Sequence, residues 1–186
     1  MTDFEAQDVV DVLTADHRDI EDLVEQVRAC SGEERRDKTD TLIAELVRHS
    51  VAEEMHVYPA MKQHLADGDA AVAHDVEEHK ELETIMKELE SADVDGPGFS
   101  ALMDELAETL RDHVQDEEAE QFPELREAIP RDEMVALADK VRTAKQVAPT
   151  RPHPSAPNSE LFHKSVGPGV GMIDRLRDKL TGRSTS

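Results

Sequence analysis

Two stretches of this chain occur twice, and that duplication limits what it can fold into more than any other feature. His49-Ser-Val-Ala-Glu53-Glu54-Met-His56-Val-Tyr58-Pro59 returns as His113-Val-Gln-Asp-Glu117-Glu118-Ala-Glu120-Gln-Phe122-Pro123 at an offset of 64 residues. His17-Arg-Asp-Ile20-Glu21-Asp-Leu23-Val24 returns as His79-Lys-Glu-Leu82-Glu83-Thr-Ile85-Met86 at an offset of 62. Each unit reads as a helical hairpin. Up to residue 144, Pro and Gly are confined to Gly32, Pro59, Gly68, the Asp95-Gly96-Pro97-Gly98 turn, Pro123 and Pro130. Between them run amphipathic segments near residues 8–29, 34–65, 69–91 and 100–128, and a shorter fifth helix is expected near 131–145. Aromatics are 3% of the chain and no apolar/polar alternation persists, so strands are not expected. The short Ser31-Gly32 and Asp67-Gly68 connections make neighbours antiparallel. The expected fold is all-α: an up-down-up-down four-helix bundle with a short fifth helix and two matching halves.

Charge marks the boundaries and excludes several classes of function. The 186 residues carry 43 acids against 21 Lys and Arg, a net −22, which opposes binding to nucleic acid. Residues 145–186 hold seven basic residues against three acids, so this tail is +4 and residues 1–144 are −26. The tail opens with Pro149, Pro152, Pro154 and Pro157, which favour an extended linker. The expected domain is therefore residues 5–144, followed by a Pro-rich tail over 145–186. The longest apolar run, Met134 to Ala138, is too short to span a bilayer. The acidic N-terminus is unlike a signal peptide, and the single Cys30 cannot form an intrachain disulfide, so a cytoplasmic setting is expected.

The buried stripes carry the chemistry. Val10, Leu13, Ile20, Val24 and Val27 mark one face of the first helix, and His17 fills a gap in it. Leu42 and Leu46 lead to His49 and Glu53, with His56 beyond; Val72 and Val76 lead to His79; Leu102, Leu106 and Leu110 lead to His113 and Glu117. Every helix thus interrupts its own core stripe with a histidine, and two add a glutamate four residues on. A single stripe histidine is ordinarily a hydrogen-bonded core residue. Four with two carboxylates at matched depth need extensive pairing or a cation, because an uncompensated buried carboxylate costs several kcal/mol. A pair of metal ions removes that cost: imidazoles coordinate terminally and the carboxylates bridge.

The pattern His17, His49-x-x-x-Glu53, His79, His113-x-x-x-Glu117 resembles the hemerythrin family, specifically the bacterial hemerythrin-like proteins with the HHE cation-binding motif. The repeated Glu-Glu-x-x-x-Tyr/Phe-Pro extension adds to the likeness, which covers residues 10–125. The resemblance implies two iron ions joined by an oxo or hydroxo bridge. It makes Glu53 and Glu117 bridging carboxylates, with His17 and His49 on one iron and His79 and His113 on the other. It departs from the oxygen carriers, which have a second histidine on the third helix where this chain has Asp75. Asp75 could supply an oxygen ligand, or water could take that place. Those carriers also space the last acid five residues from its histidine, which would select Glu118. Helical geometry favours Glu117, since i+5 turns ~140° away.

Other candidates read more plainly. Glu21 and Glu83 sit at the stripe edge and are expected to be solvated or to orient an imidazole N–H. His56 has Glu120 as its repeat mate and is not expected to ligate. Tyr58 should point away from the site by helical period and pack in the core like its mate Phe122. His64, His74, His153 and His163 are expected at the surface or in the tail, and Cys30 is expected to be passive. A ferritin-like Glu-x-x-His occurs once, at Glu53/His56, without a counterpart, and His-Glu-x-x-His is absent. An imidazole-rich di-iron centre suits O2, peroxide or nitric oxide, with peroxide decomposition among the reactions in view. The competing classes are an oxygen or iron sensor, an iron-binding module without turnover, and an acidic bundle holding zinc or nothing. In the tail, Met172, Ile173, Leu176 and Leu180 fall at helical spacing among basic residues. Docking on the chain's own bundle or on a partner is expected rather than membrane attachment.

Overall fold

The computed structural model describes residues 6–154 and, further on, 170–172, 174, 178 and 179. The elements are α1 (Val9–Ala29), α2 (Gly32–Ala52), a π turn (Glu53–Val57), α3 (Tyr58–His64), α4 (Gly68–Ser91), α5 (Phe99–Asp116), a second π turn (Glu117–Gln121), α6 (Phe122–Ala128) and α7 (Arg131–Val147). The all-α bundle expected from the sequence is the fold observed. No helix among the described residues is long and apolar enough to cross a membrane. Ile173, Leu176, Leu180, His163 and the four basic residues Lys164, Arg175, Arg177 and Arg183 lie outside the described residues.

Local chemistry sets the helix ends. Asp8 caps α1: its carboxylate accepts from the Asp11 amide at 3.0 Å, and Asp11 reciprocates to the Asp8 amide at 3.0 Å. Arg126 of α6 grips the same Asp8 carboxylate at 3.1 and 3.0 Å, tying the two ends of the duplicated unit together. Between α1 and α2, Gly32 has φ +59, a left-handed conformation that glycine adopts without penalty, and its amide donates to Asp95 Oδ1 at 3.1 Å. At the α3–α4 turn a Cβ on Gly68 would stand 2.2 Å from the Met61 carbonyl oxygen, so only glycine lets the two segments close.

The α1–α2 and α4–α5 hairpins pack against each other through α1 with α5 and α2 with α4, while α7 lies across α1 and α2. Leu13, Ile20, Leu42, Leu46, Leu82, Met86, Leu89 and Leu106 are all fully buried between them. Each such side chain contributes about 1.5–3 kcal/mol. Arg36 of α2 donates to the Leu89 carbonyl at 3.1 Å, satisfying the end of the antiparallel α4.

The π turns are the departure from two unbroken helices over 34–65 and 100–128. Their cause is Pro59 and Pro123, which lack an N–H and whose rings crowd the carbonyl four residues back. The wider turn relieves both: the Tyr58 amide closes onto the Glu53 carbonyl, and the Phe122 amide onto that of Glu117. Each π turn therefore begins on a glutamate of the repeated motif.

Candidate metal centre

All six motif residues meet in the middle of the bundle, with exposures of 0–2%. His17 Nε2 and His49 Nε2 are 3.2 Å apart, and His79 Nε2 and His113 Nε2 are 3.3 Å apart, which sorts the imidazoles into two pairs. Glu53 spans the pairs, with Oε1 3.2 Å from His49 Nε2 and Oε2 3.4 Å from His79 Nε2. Glu117 spans them in the other sense, with Oε2 3.2 Å from His17 Nε2 and Oε1 3.7 Å from His113 Nε2. Among the described residues, none of the four carboxylate oxygens has a hydrogen-bond partner. Two ligand groups result that could each hold a metal ion: His17, His49, Glu53 and Glu117, and Glu53, His79 and His113.

The outer ring nitrogens face carboxylates from other helices. Glu118 Oε1 lies 2.8 Å from His17 Nδ1, Glu54 Oε1 3.0 Å from His79 Nδ1, and Glu78 Oε2 2.9 Å from His113 Nδ1. Asp16 Oδ2 stands 3.6 Å from His49 Nδ1, an ion-pair separation, and its other oxygen takes Lys145 of α7 at 2.7 Å. When the imidazole is neutral, a carboxylate at Nδ1 fixes the tautomer that presents the Nε2 lone pair inward, the usual support for a metal-bound histidine. The braces obey the repeat: Glu54 and Glu118 are mates, as are Asp16 and Glu78. Glu21 is exposed and pairs with Arg18 at 3.0 Å, the solvated one of the two placements expected for it, and neither Glu21 nor Glu83 belongs to a ligand group.

Without metal the cage is held by charge. Burial pushes His49 down, but Glu53, Asp16 and Glu117 outweigh it and raise the imidazole to about 10. His79 and His113 are raised in the same way against burial, by Glu53 and Glu54 and by Glu117 and Glu78. Glu53 is also opposed by burial, yet His49 and His79 hold it well below the usual carboxylate range. The raised imidazoles and the depressed Glu53 favour protons on the ring nitrogens beside the carboxylates, so metal binding at this cage would release protons.

Tyr58 corrects the helical-period reading. Its hydroxyl reaches 3.1 Å from His79 Nε2, with the two rings stacked at 5.5 Å. Five residues after Glu53 would face away on an α-helix, but the π turn closes i to i+5 and brings Tyr58 back over the site. Phe122 obeys the same rule and stacks on His17 at 5.7 Å. Burial, then the Glu53, Glu117 and Asp75 charges, raise the Tyr58 hydroxyl well above its ordinary value, so it stays a protonated donor. Asp75 is fully buried beside this half: Oδ1 accepts from Gln121 Nε2 at 2.9 Å, and Oδ2 has no partner among the described residues. Burial and the Glu117 charge push Asp75 up to about 6 against the Gln121 bond. His56 belongs to neither ligand group and lines a cleft between α3 and α7.

Four matches to known proteins bear on this arrangement. The hemerythrin HHE cation binding domain matches residues 8–125. An uncharacterized hemerythrin-like protein of Schizosaccharomyces pombe is 29% identical over 174 residues, spanning 92% of this chain and 86% of its own length. A DNA nickase of Nostoc sp. is 22% identical over 145 residues, 77% of this chain, and this chain spans only 41% of that protein. The crystal structure of a hemerythrin HHE cation binding domain-containing protein from Mycobacterium kansasii shares the fold, with a TM-score of 0.66 at 23% identity over 75% of this chain and 86% of that one.

Proposed function

The chain belongs to the hemerythrin HHE cation binding domain family, and on that premise we propose that it is a cytoplasmic di-iron protein that binds or reacts with O2, peroxide or nitric oxide. His17 and His49 would hold one iron, His79 and His113 the other, and Glu53 and Glu117 would bridge them. The observation that supports this most is the set of four buried carboxylate oxygens with no hydrogen-bond partner, each within 3.2–3.7 Å of an imidazole Nε2. Among the described residues, nothing neutralises Glu53 and Glu117 in the state where the imidazoles are unprotonated. A nitrogen- and carboxylate-rich donor set suits iron among first-row metals. When bound, iron supplies the redox exchange that binding or reducing oxygen species requires.

The chain's own residues make the two ends of the cage different. Phe122 covers His17 with an apolar ring and excludes water from that end. At the other end the Tyr58 hydroxyl can donate a hydrogen bond to a small ligand beside His79, and Gln121 holds Asp75 in place. The outer carboxylates keep each imidazole aimed inward. A DNA-nicking role is not proposed, since a net −22 opposes approach to phosphates.

A second reading, a sensor without turnover, is favoured by one contact. Arg151 bonds Glu90 of α4 at 2.6 Å, so the tail segment lies against the helix that carries His79. Metal analysis with visible absorption, followed by peroxide addition, decides between them. Two irons per chain and oxygen evolution are expected. Colourless protein, or zinc in place of iron, would overturn the di-iron reading; iron without turnover would select the sensor.

A further inference from the structure

The two halves of the cage come from one duplicated unit, yet they have diverged where the bundle meets solvent. On the α4–α5 face stand His74, Asp75 and Asp116; their mates on α1 and α2 are Val12, Leu13 and Ala52. The mates are sealed, with exposures of 8%, 0% and 0%, and α7 packs on the helices that carry them. His74 and Asp116, by contrast, have side chains 59% and 48% exposed.

These polar residues connect the surface to the cage. His74 Nε2 faces Glu78 Oε1 and Asp116 Oδ2, both at 3.4 Å, an imidazole and two carboxylates converging on one point at the surface. The second oxygen of Glu78 is the one that lies 2.9 Å from His113 Nδ1. Asp75, Glu78 and His113 form a further group whose ligand atoms lie within 4.8 Å of one another, and Asp75 brings to it a carboxylate with a buried, unpartnered Oδ2. His113 in turn belongs to the inner group with Glu53 and His79. Successive ligand groups thus share a residue at each step, Glu78 and then His113. A desolvated cation is stable only while oxygen or nitrogen ligands replace its water, so overlapping groups are what inward passage requires.

We propose that His74, Glu78 and Asp116 form an outer cation site through which divalent metal reaches the cage, handed on by Asp75 and Glu78. This rests on the reading of the cage as a metal centre and adds the route and its direction. The α1–α2 end is closed by Val12, Leu13 and Ala52, so loading runs from the α4–α5 side.

The sequence supplies its own probe: Tyr58 is the single tyrosine, there is no tryptophan, and its hydroxyl is 3.1 Å from His79 Nε2. Stopped-flow quenching of Tyr58 fluorescence by Co(II) added to metal-free full-length protein reports arrival at the cage. The double variant His74→Ala/Asp116→Ala should slow uptake about tenfold, the lower end of what local charge does to association rates. Its final stoichiometry should remain two Co(II) per chain. Asp139→Ala, which removes an exposed acid on α7, should leave the rate unchanged. An unchanged rate in the double variant, or an equal slowing by Asp139→Ala, would overturn the route while leaving the cage intact. A parent protein that takes up no Co(II) would overturn the cage and the route together.

Discussion

Glu54→Gln separates a metal-supporting carboxylate from a merely buried one. Glu54 Oε1 lies 3.0 Å from His79 Nδ1, and the side chain is only 4% exposed, so its charge is little screened by water. Glutamine keeps the shape and an accepting oxygen but removes the charge. A hydrogen bond to a charged partner contributes about 1.5–3 kcal/mol against about 0.5–1.5 for a neutral pair, a difference of roughly 1–1.5 kcal/mol. That is about a tenfold loss in metal affinity, the lower end of what outer partners of a metal-bound histidine contribute. Its repeat mate Glu118 makes the corresponding contact with His17 at 2.8 Å, but it is 23% exposed and its other oxygen is engaged by Arg18. Glu118→Gln should therefore cost less, about threefold, because exposure and a second partner dilute the charge. Competition between the metal-free protein and a chromophoric chelator for Co(II) measures both. Parent-like affinity in Glu54→Gln, or a larger loss in Glu118→Gln, would refute the reasoning.

Metal-free protein should lose stability on the alkaline side. His49 is raised to about 10 by Glu53, Asp16 and Glu117 against burial, so its contribution is complete below about 6.5 and disappears as pH rises through 10. Glu53 is depressed, so its contribution is present above about 4.5 and lost on acidification. Urea midpoints of the metal-free protein should fall between pH 6 and pH 9, while metal binding should release protons and strengthen over the same range. In the tail, Arg151 bonds Glu90 at 2.6 Å and Asp178 at 2.7 Å with its side chain 9% exposed. Arg151→Ala should cost about 1–3 kcal/mol of stability, because Lys87 still holds Glu90 and Thr150 still holds Asp178. Metal content should be as in the parent, checked by metal analysis and urea denaturation; loss of metal would place the tail in the centre's support.

The helical period made the cage legible, because each inward histidine and glutamate replaces an apolar residue on a stripe already needed for packing. The duplication then implied that the two hairpins meet face to face. Tyr58 was misplaced because the period was assumed constant through Pro59. The proline widens the turn, and that rotates everything after Glu53. The signal was present in the sequence as Glu-Glu-x-x-x-Tyr-Pro and again as Glu-Glu-x-x-x-Phe-Pro. Asp16 and Glu78 were missed for another reason. Each braces a histidine on the neighbouring helix, and spacing within one helix says nothing about which side chain stands across the groove. The repeated acid-histidine pairs Asp16-His17 and Glu78-His79 would have been the sign to follow. The contrast between His74, Asp75 and Asp116 and their apolar mates was likewise readable once the offsets were known, but its meaning depends on α7 covering only one side. Pro149 and Pro152 favour an extended linker, yet Thr150 and Arg151 between them are buried, held by acids of α4 and of the C-terminal segment.

The central claim is that one cage holds two iron ions bridged by Glu53 and Glu117. Anomalous diffraction above and below the iron edge, from crystals of protein purified without added metal, tests it most directly. Two iron peaks are expected within the cage, about 3.5–4 Å apart as in other two-metal sites, one beside His17 and His49 and the other beside His79 and His113. A single peak, a signal that persists below the iron edge, or iron located outside the six residues would contradict it.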